Sequence, residues 1–333
     1  LGGDKNYLQN LFLNSTKKHN FLDEVLEPIF FGLLNTPIDR REAKFYQEGW
    51  DLSLIPSWST IPYLNGGLFD KDELDCPQST ISVELFAGLF KFLSQYNFTI
   101  DENDPNDAEV GVDPEMLGKI FENLLEDNKD KGAFYTPKEI VQYMCQESLI
   151  AYLVNYTKGK STNVDDIEDK IRNLVSNPAE VIEKIANYSE KQLLDLDKAL
   201  SEVKICDPAI GSGAFPMGLL NELVACRENI QIALKRDYSR VELKKQIILN
   251  NIYGVDIEKG AIDIARLRFW LSIVVDSDKP EQLPNFDYKF MQGNSLIESF
   301  MGVDLSEIMR DKQRSRKHQG MLLMSFDETD VAN

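Results

Sequence analysis

The spacing of apolar positions changes near residue 200. Before it, they recur mostly at helical intervals. In "PEMLGKIFENLLED", Met116, Leu117, Ile120 and Leu124 share one face, Asp113 is placed to cap the helix, and Pro114 takes its first position. In "GAFYTPKEIVQYM", Thr136 as N-cap, Pro137 in the first position and Glu139 in the third form a capping box. Ile140, Val141, Met144 and Leu149 are the expected buried stripe. Residues 160–200 are charged and helix-prone, broken at Asn177-Pro178, and read as a helical insertion. The order then becomes strand (Val203 to Cys206), glycine turn, helix (Ala214 to Asn229), helix (Val241 to Leu249), strand (Ile252 to Val255), helix (Lys259 to Val275) and strand (Tyr288 to Met291). Such alternation predicts an α/β fold, a mostly parallel sheet with helices on both faces.

Residues 1–110 carry mixed helical patterns and aromatic-rich loops, among them "IPYLNGGLFD", where Asn65-Gly66-Gly67 predicts a tight turn. The acidic stretch from Asp101 to Asp113 reads as a link. The expected organisation is therefore a helical N-terminal domain over 1–110, an α/β core over 111–310 containing the insertion at 160–200, and a linker or the start of an insertion over 311–333.

Charge alters this picture in one respect. With 36 basic and 55 acidic residues the formal charge is −19, which argues against a nucleic-acid surface spread over the whole chain but not against a local basic groove. The one basic run, Arg310, Lys312, Arg314, Arg316, Lys317 and His318, reads as a solvated linker. No apolar run approaches the roughly eighteen residues of a membrane span, and no basic-then-apolar leader opens the chain. The expectation is a cytoplasmic protein with no membrane partner. The cysteines have no metal-type spacing, no metal site is expected, and Cys145, Cys206 and Cys226 have the apolar neighbours of buried thiols. A start at Leu1 and an end in "DETDVAN" read as a fragment of a longer protein.

The candidate chemistry lies in "KICDPAIGSGAF". Gly213 is followed by Ala-Phe-Pro and not by Lys and Ser/Thr, which excludes a P-loop, and Pro216 stands where a dinucleotide fingerprint needs its third glycine. Asp207, at the mouth of the turn, would repel a pyrophosphate and attract an ammonium group. Backbone N–H groups of the turn and the helix N-terminus suit the carboxylate of the same ligand. After the next strand, Asp256 is placed to accept hydrogen bonds from both hydroxyls of a ribose. An amino acid joined to a nucleoside answers both carboxylates, and that molecule is S-adenosylmethionine. Asn294, in "MQGNSL", offers an amide to the adenine edge, and either Phe215 or Ile257 covers the ring.

"GAFYTP", "DPAIGSGAF", "NIYGVDIEKGAIDIARLRFWLSI" and "QGNSL", in this order, resemble the adenine-N6 DNA methyltransferases of restriction–modification systems, in particular the Eco57I-type enzymes, single chains that often add an endonuclease. "IPYLNGGLFD" and "MLGKIFENLL" resemble the helical segment preceding the methyltransferase core in that group. The resemblance implies a Rossmann-like S-adenosylmethionine-dependent fold. By position it implies that Phe134, Tyr135 and Thr136 close over the methionine part of the cofactor, and that Asp207, Ala209, Gly211 and Gly213 line its amino-acid end. Asp256 would hold the ribose, Ile257 would pack on adenine, and Asn294 would contact the adenine amino group.

The sequence departs from the family in lacking the Asn-Pro-Pro-Tyr tetrapeptide that holds the target amine, since Asn177-Pro178 continues as Ala-Glu. No catalytic residue is therefore assigned within the chain. The expectation is a donor-binding part that is inactive alone, with double-stranded DNA engaged through a missing C-terminal part and with an endonuclease as a possible companion domain or subunit. Glu168-Asp169-Lys170 matches the last piece of a nuclease pattern, but in a helix-prone segment it assigns no cleavage. The alternative readings are a methyltransferase of the same fold acting on RNA or protein, and a non-catalytic scaffold or specificity protein.

Overall fold

The computed structural model describes residues 6–64, 69, 71, 81–94, 97–98, 111–112, 136–158, 164–176, 188–277, 284–286, 288–297, 299–300 and 303–304. The helix expected at Pro114, the Asn65-Gly66-Gly67 turn, the Asn177-Pro178 break and the basic run at 310–318 lie outside the described residues. The chain divides into two compact units, Leu1–Gln292 and Gly293–Asn333.

The first unit holds two hydrophobic cores. One is built by α1 (Tyr7–Asn14), two π-helical segments (Leu22–Leu26 and Pro28–Leu34), α2 (Arg41–Glu48) and α3 (Val83–Leu93). Its centre is aromatic, with Phe12 edge-on to Phe21 at 5.1 Å and Phe21 edge-on to Phe86 at 5.4 Å. Arg41 is fully buried there and donates to the carbonyls of Leu33, Thr36 and Trp58. A buried guanidinium is tolerated because three backbone carbonyls accept its N–H groups. α3 buries Phe86 and Phe90 yet exposes Leu85, Leu89, Phe92 and Leu93, so it is apolar on both faces.

After a short parallel pair, β1 (Asn97–Phe98) with β2 (Gly111–Val112), the second core gathers α4 (Lys138–Lys158), α5 (Val164–Ser176), α6 (Glu190–Glu202), β3 (Ile205–Asp207), α7 (Ala214–Ala233), α8 (Arg240–Asn251), β4 (Ile252–Asp256), α9 (Lys259–Val275) and β5 (Phe290–Gln292). The described parts of the segment expected as an insertion, 164–176 and 188–200, are largely helical, and Ile171, Leu174, Leu193, Leu196 and Leu200 place them inside this core. Asn251, wholly buried, donates to the carbonyls of Leu200, Ser201 and Val203, tying the end of α6 to the start of β4. α4 departs from its expected stripe. Val141, Cys145 and Leu149 are buried, whereas Ile140 and Met144 are exposed, because the face that meets α7 runs through every fourth residue from Val141. Gly218 of α7 permits that approach, since a Cβ there would lie 2.7 Å from Val141 Cγ1. The helix also starts one residue later than a Thr136 cap requires: the Pro137 carbonyl accepts from the N–H groups of Ile140 and Val141.

β3, β4 and β5 pair in parallel in that order, with Asp207 opposite Gly254 and Asp256 opposite Gln292. The strand order never reverses, and right-handed crossovers that advance in one direction stack their helices on one face. Ile252, Gly254 and Phe290 face those helices and are buried, whereas Cys206 and Met291, on the other face, are exposed. Among the described residues, then, the sheet has one helical layer and not two, and Cys206 is not a buried thiol as its apolar neighbours suggested. Cys145 and Cys226 are buried. The second unit contains β6 (Ser299–Phe300) and β7 (Val303–Asp304), paired antiparallel.

Two outcomes follow from this packing. A Cβ on Gly254 would lie 2.2 Å from Ile210 Cδ1, so Gly254→Ala is expected to lower stability by about 1–3 kcal/mol. The measurement is the urea midpoint; an unchanged midpoint would contradict the packing. Of the three described cysteines, Cys206 is expected to be alkylated first by iodoacetamide, since burial pushes the Cys145 thiol up to about 12 and raises that of Cys226 as well. Peptide mapping after brief labelling reads the order directly.

Candidate ligand site at the glycine turn

The chain leaves β3 at Asp207 and reaches α7 at Ala214 through a turn that contains two left-handed glycines, Gly211 (φ 53°) and Gly213 (φ 88°). A side chain at either would be strained. Their surroundings differ. A Cβ on Gly213 would lie 3.3 Å from Ala265 Cβ of α9, whereas one on Gly211 would meet nothing within 4 Å. Gly213 thus packs the turn onto the protein, and Gly211 turns bare backbone toward open space.

The turn is held by hydrogen bonds from several directions. The Ala209 N–H donates to Asp207 Oδ1 (3.0 Å), the Ile210 N–H to the Val255 carbonyl (3.0 Å), the Gly211 N–H to Asp256 Oδ2 (2.8 Å) and the Gly213 N–H to the Ile210 carbonyl (2.9 Å). Asp256 also accepts from the Glu258 N–H at Oδ1 (2.9 Å), so one carboxylate fixes both the turn and the entry to α9. Ile210, buried, seats over Gly254. Four N–H groups that the sequence offered to a ligand carboxylate are therefore engaged within the protein.

Asp207 and Asp256 stand at the C-terminal ends of adjacent strands, close enough for their charges to interact. Burial raises the Asp207 carboxyl above its ordinary value; the Ala209 N–H works against this, and the Asp256 charge adds to it. Next to Asp256, Ile257 is 62% exposed, and Gln292 at the end of β5 donates to its carbonyl (3.0 Å). Ala209 is exposed, and Phe215 at the start of α7 is half-buried. Thr136, half-buried, precedes α4, whose Cys145 thiol donates to the Phe215 carbonyl (3.5 Å). The structure thus brings Asp207, Ala209, Gly211, Gly213, Asp256 and Ile257 together around one turn. Phe134 and Tyr135 lie outside the described residues. Asn294 belongs to the second unit, where its Oδ1 accepts from the Leu296 N–H (2.9 Å).

One participant went unread in the sequence. Arg268 of α9 is 3% exposed and donates from Nη1 to the Ser212 carbonyl (2.7 Å). In "IARLRFW" an arginine reads as an exposed position, and nothing short of the packing of α9 under the turn marks it otherwise. Among the described residues no group of three or more His, Cys, Asp or Glu could hold a metal ion, and no helix is long and apolar enough to cross a membrane.

Comparisons with known proteins point to DNA methyltransferases. Residues 182–282 match the family model described as MmeI, DNA-methyltransferase domain. A protein of Methanocaldococcus jannaschii named "Putative type II restriction enzyme and methyltransferase" is 33% identical over 293 residues, 84% of this chain and 24% of the relative. The adenine-specific methyltransferase BrxX of Escherichia coli is 29% identical over 154 residues, 45% of this chain and 11% of the relative. PglX of Lacticaseibacillus casei, also named an adenine-specific methyltransferase, is 20% identical over 250 residues, 70% of this chain and 20% of the relative. Among solved structures, the type IIL restriction–modification enzyme MmeI in complex with DNA aligns over 89% of this chain and 35% of its own, with a TM-score of 0.57 and 18% identity. At that identity the likeness is one of fold. These matches bear out the resemblance to methyltransferases of restriction–modification systems, and the chain spans about a quarter of the length of the first of the relatives.

The raised Asp207 carboxyl has a consequence for stability. Its folded-state value lies above the unfolded one, so its stabilising contribution is full only below the unfolded value, about 3.9, and is lost as the pH rises through the folded value. Near neutral pH the ionised group opposes folding. Asp207→Asn keeps an acceptor for the Ala209 N–H and removes the charge. Its melting temperature is expected to exceed that of the wild type near neutral pH, with the gap closing below about pH 4; a lower melting temperature at neutral pH would contradict this account.

Proposed function

We propose that this chain is the donor-binding part of a DNA adenine-N6 methyltransferase of a restriction–modification system, built on a Rossmann-like fold, and that S-adenosylmethionine is the ligand of the glycine turn. The observation that carries the reading is the placement of Gly211, with open space beside its backbone, between Asp207 and Asp256 on adjacent parallel strand ends. The residues fit that molecule. Both oxygens of Asp256 already accept one backbone N–H each, and a carboxylate has about four acceptor positions, so a ribose diol finds vacant ones. Asp207, whose carboxyl is raised by burial, suits the α-ammonium, which would offset that cost. At the start of α7, where Pro216 has no N–H and that of Met217 donates to the Gly213 carbonyl, the N–H groups of Ala214 and Phe215 suit the ligand carboxylate. Exposed Ile257 offers an apolar surface to adenine.

When bound, the cofactor supplies an electrophilic sulfonium methyl group. The part of this chain is to hold and orient it, which matters because in-line attack by an amine depends on alignment. Phe134, Tyr135 and Thr136 are proposed to close over the methionine end and Asn294 to read the adenine amino group. No Asn-Pro-Pro-Tyr occurs in the 333 residues. Accordingly, holding a target adenine flipped out of double-stranded DNA is assigned to further sequence of the whole protein, as is any nuclease.

Calorimetric titration of the chain with S-adenosylmethionine tests this reading. Binding is expected in the wild type and should weaken by about 1.5–3 kcal/mol in Asp207→Ala, the range of a hydrogen bond to a charged group. Tritium transfer to duplex DNA by the chain alone is expected to stay at background. Absence of binding by a folded chain would overturn the donor site, and transfer to DNA would overturn the division of labour.

A further inference from the structure

We infer that Arg268 is a positioning residue for the glycine turn, acting from beneath it to fix the conformation that the ligand meets. This rests on the reading of the turn as the methyl-donor site. Arg268 and Ala265 are three residues apart on α9 and so share one face. Ala265 makes room for Gly213, and Arg268 reaches past it to Ser212, the residue between the two left-handed glycines. Nη1 donates to the Ser212 carbonyl at 2.7 Å and lies 3.4 Å from its hydroxyl. Ser212 is itself 4% exposed. A buried guanidinium carries a desolvation cost that only well-placed acceptors offset, and a charge-assisted bond at this length is among the stronger single contacts a carbonyl makes.

The carbonyl it holds sits where the backbone is most adaptable. Glycines on both sides of Ser212, both in the left-handed region, lower the barrier to other conformations. Asp256 fixes the Gly211 N–H from the β4 side and Arg268 fixes the next carbonyl from the α9 side. The turn is thereby clamped in two successive peptide units, one by an anion and one by a cation.

The test uses the 333-residue chain with Arg268→Met, Arg268→Lys and Arg268→Gln, and Leu196→Ala as a control in the same core that does not touch the turn. Two quantities are read: hydrogen exchange of the peptide spanning 209–215 without ligand, and the Kd for S-adenosylmethionine. Arg268→Met is expected to speed exchange of that peptide and to weaken the ligand, each by roughly ten- to a hundredfold, the range of one lost charge-assisted bond. Arg268→Lys should recover most of both. Leu196→Ala should lower the melting temperature without a selective effect on either. If the methionine variant does not fold, the glutamine variant is judged by the same two readouts. Unchanged exchange at 209–215 in the charge-removing variant, or an equal change in the control, overturns the inference. Should the wild type itself bind no ligand, the donor-site reading fails, and the exchange measurement still decides whether Arg268 holds the turn.

Discussion

The tie between the Asp256 carboxylate and the Gly211 N–H, 2.8 Å long, joins the end of β4 to the turn after β3, across 45 positions of sequence. Its other oxygen caps the entry to α9, so a single side chain sets the turn after β3 and the helix after β4 in register. Because α9 carries Ala265 and Arg268, the placement of that helix decides what supports the turn from below. Loss of this carboxylate would free both ends together, whereas loss of any one contact on α9 would leave the other in place. The ligand-binding reading adds a second demand on the same group. A ribose bound to Asp256 would be bound to the residue that already organises the turn, so ligand occupancy and turn rigidity are thermodynamically linked.

Buried charge in this unit is received by backbone, by an opposite charge or, at Glu222, by the amide of Gln146. Lys244 of α8 pairs with Asp276 at 2.6 Å and donates to the Ser272 carbonyl at 2.8 Å, and burial lowers its ammonium value despite the carboxylate. Arg227 pairs with Asp197 at 2.8 Å. Arg41 in the N-terminal core has three carbonyls. Asp207 stands apart from these. Its carboxyl is raised by burial, and its described contact is one N–H from its own turn. A group in that condition is under-compensated without a ligand, as functional sites often are.

Much of this was legible in the residues. Strand, glycine turn and helix were read from the Gly-Ser-Gly stretch, and Lys259–Val275 was bounded correctly, because both rest on local rules of turn and helix chemistry. Asp207, Gly211, Gly213 and Asp256 were likewise gathered, since strand ends in an open sheet converge on one side. What could not be read depends on which neighbour arrives. Ile140 and Met144 share helical spacing with Val141 and Leu149, and only the path of α7 selects the second set. Cys206 has apolar neighbours, but a monotonic strand order leaves its face without helices among the described residues. Arg268 could not be distinguished from a surface arginine until α9 was seen beneath the turn.

The sheet face that carries Cys206 and Met291, and the second apolar stripe of α3, have a colloidal consequence. Cys206, Met291, Leu85, Leu89, Phe92 and Leu93 give the isolated chain adhesive surface. A formal charge of −19 supplies the opposing repulsion. That repulsion is shortened to about 10 Å at 0.1 M salt and about 3 Å at 1 M, whereas the attraction between apolar patches is not. Dispersal of the chain in solution is therefore a matter of ionic strength, with low salt keeping molecules apart and high salt bringing their bare faces within reach of one another.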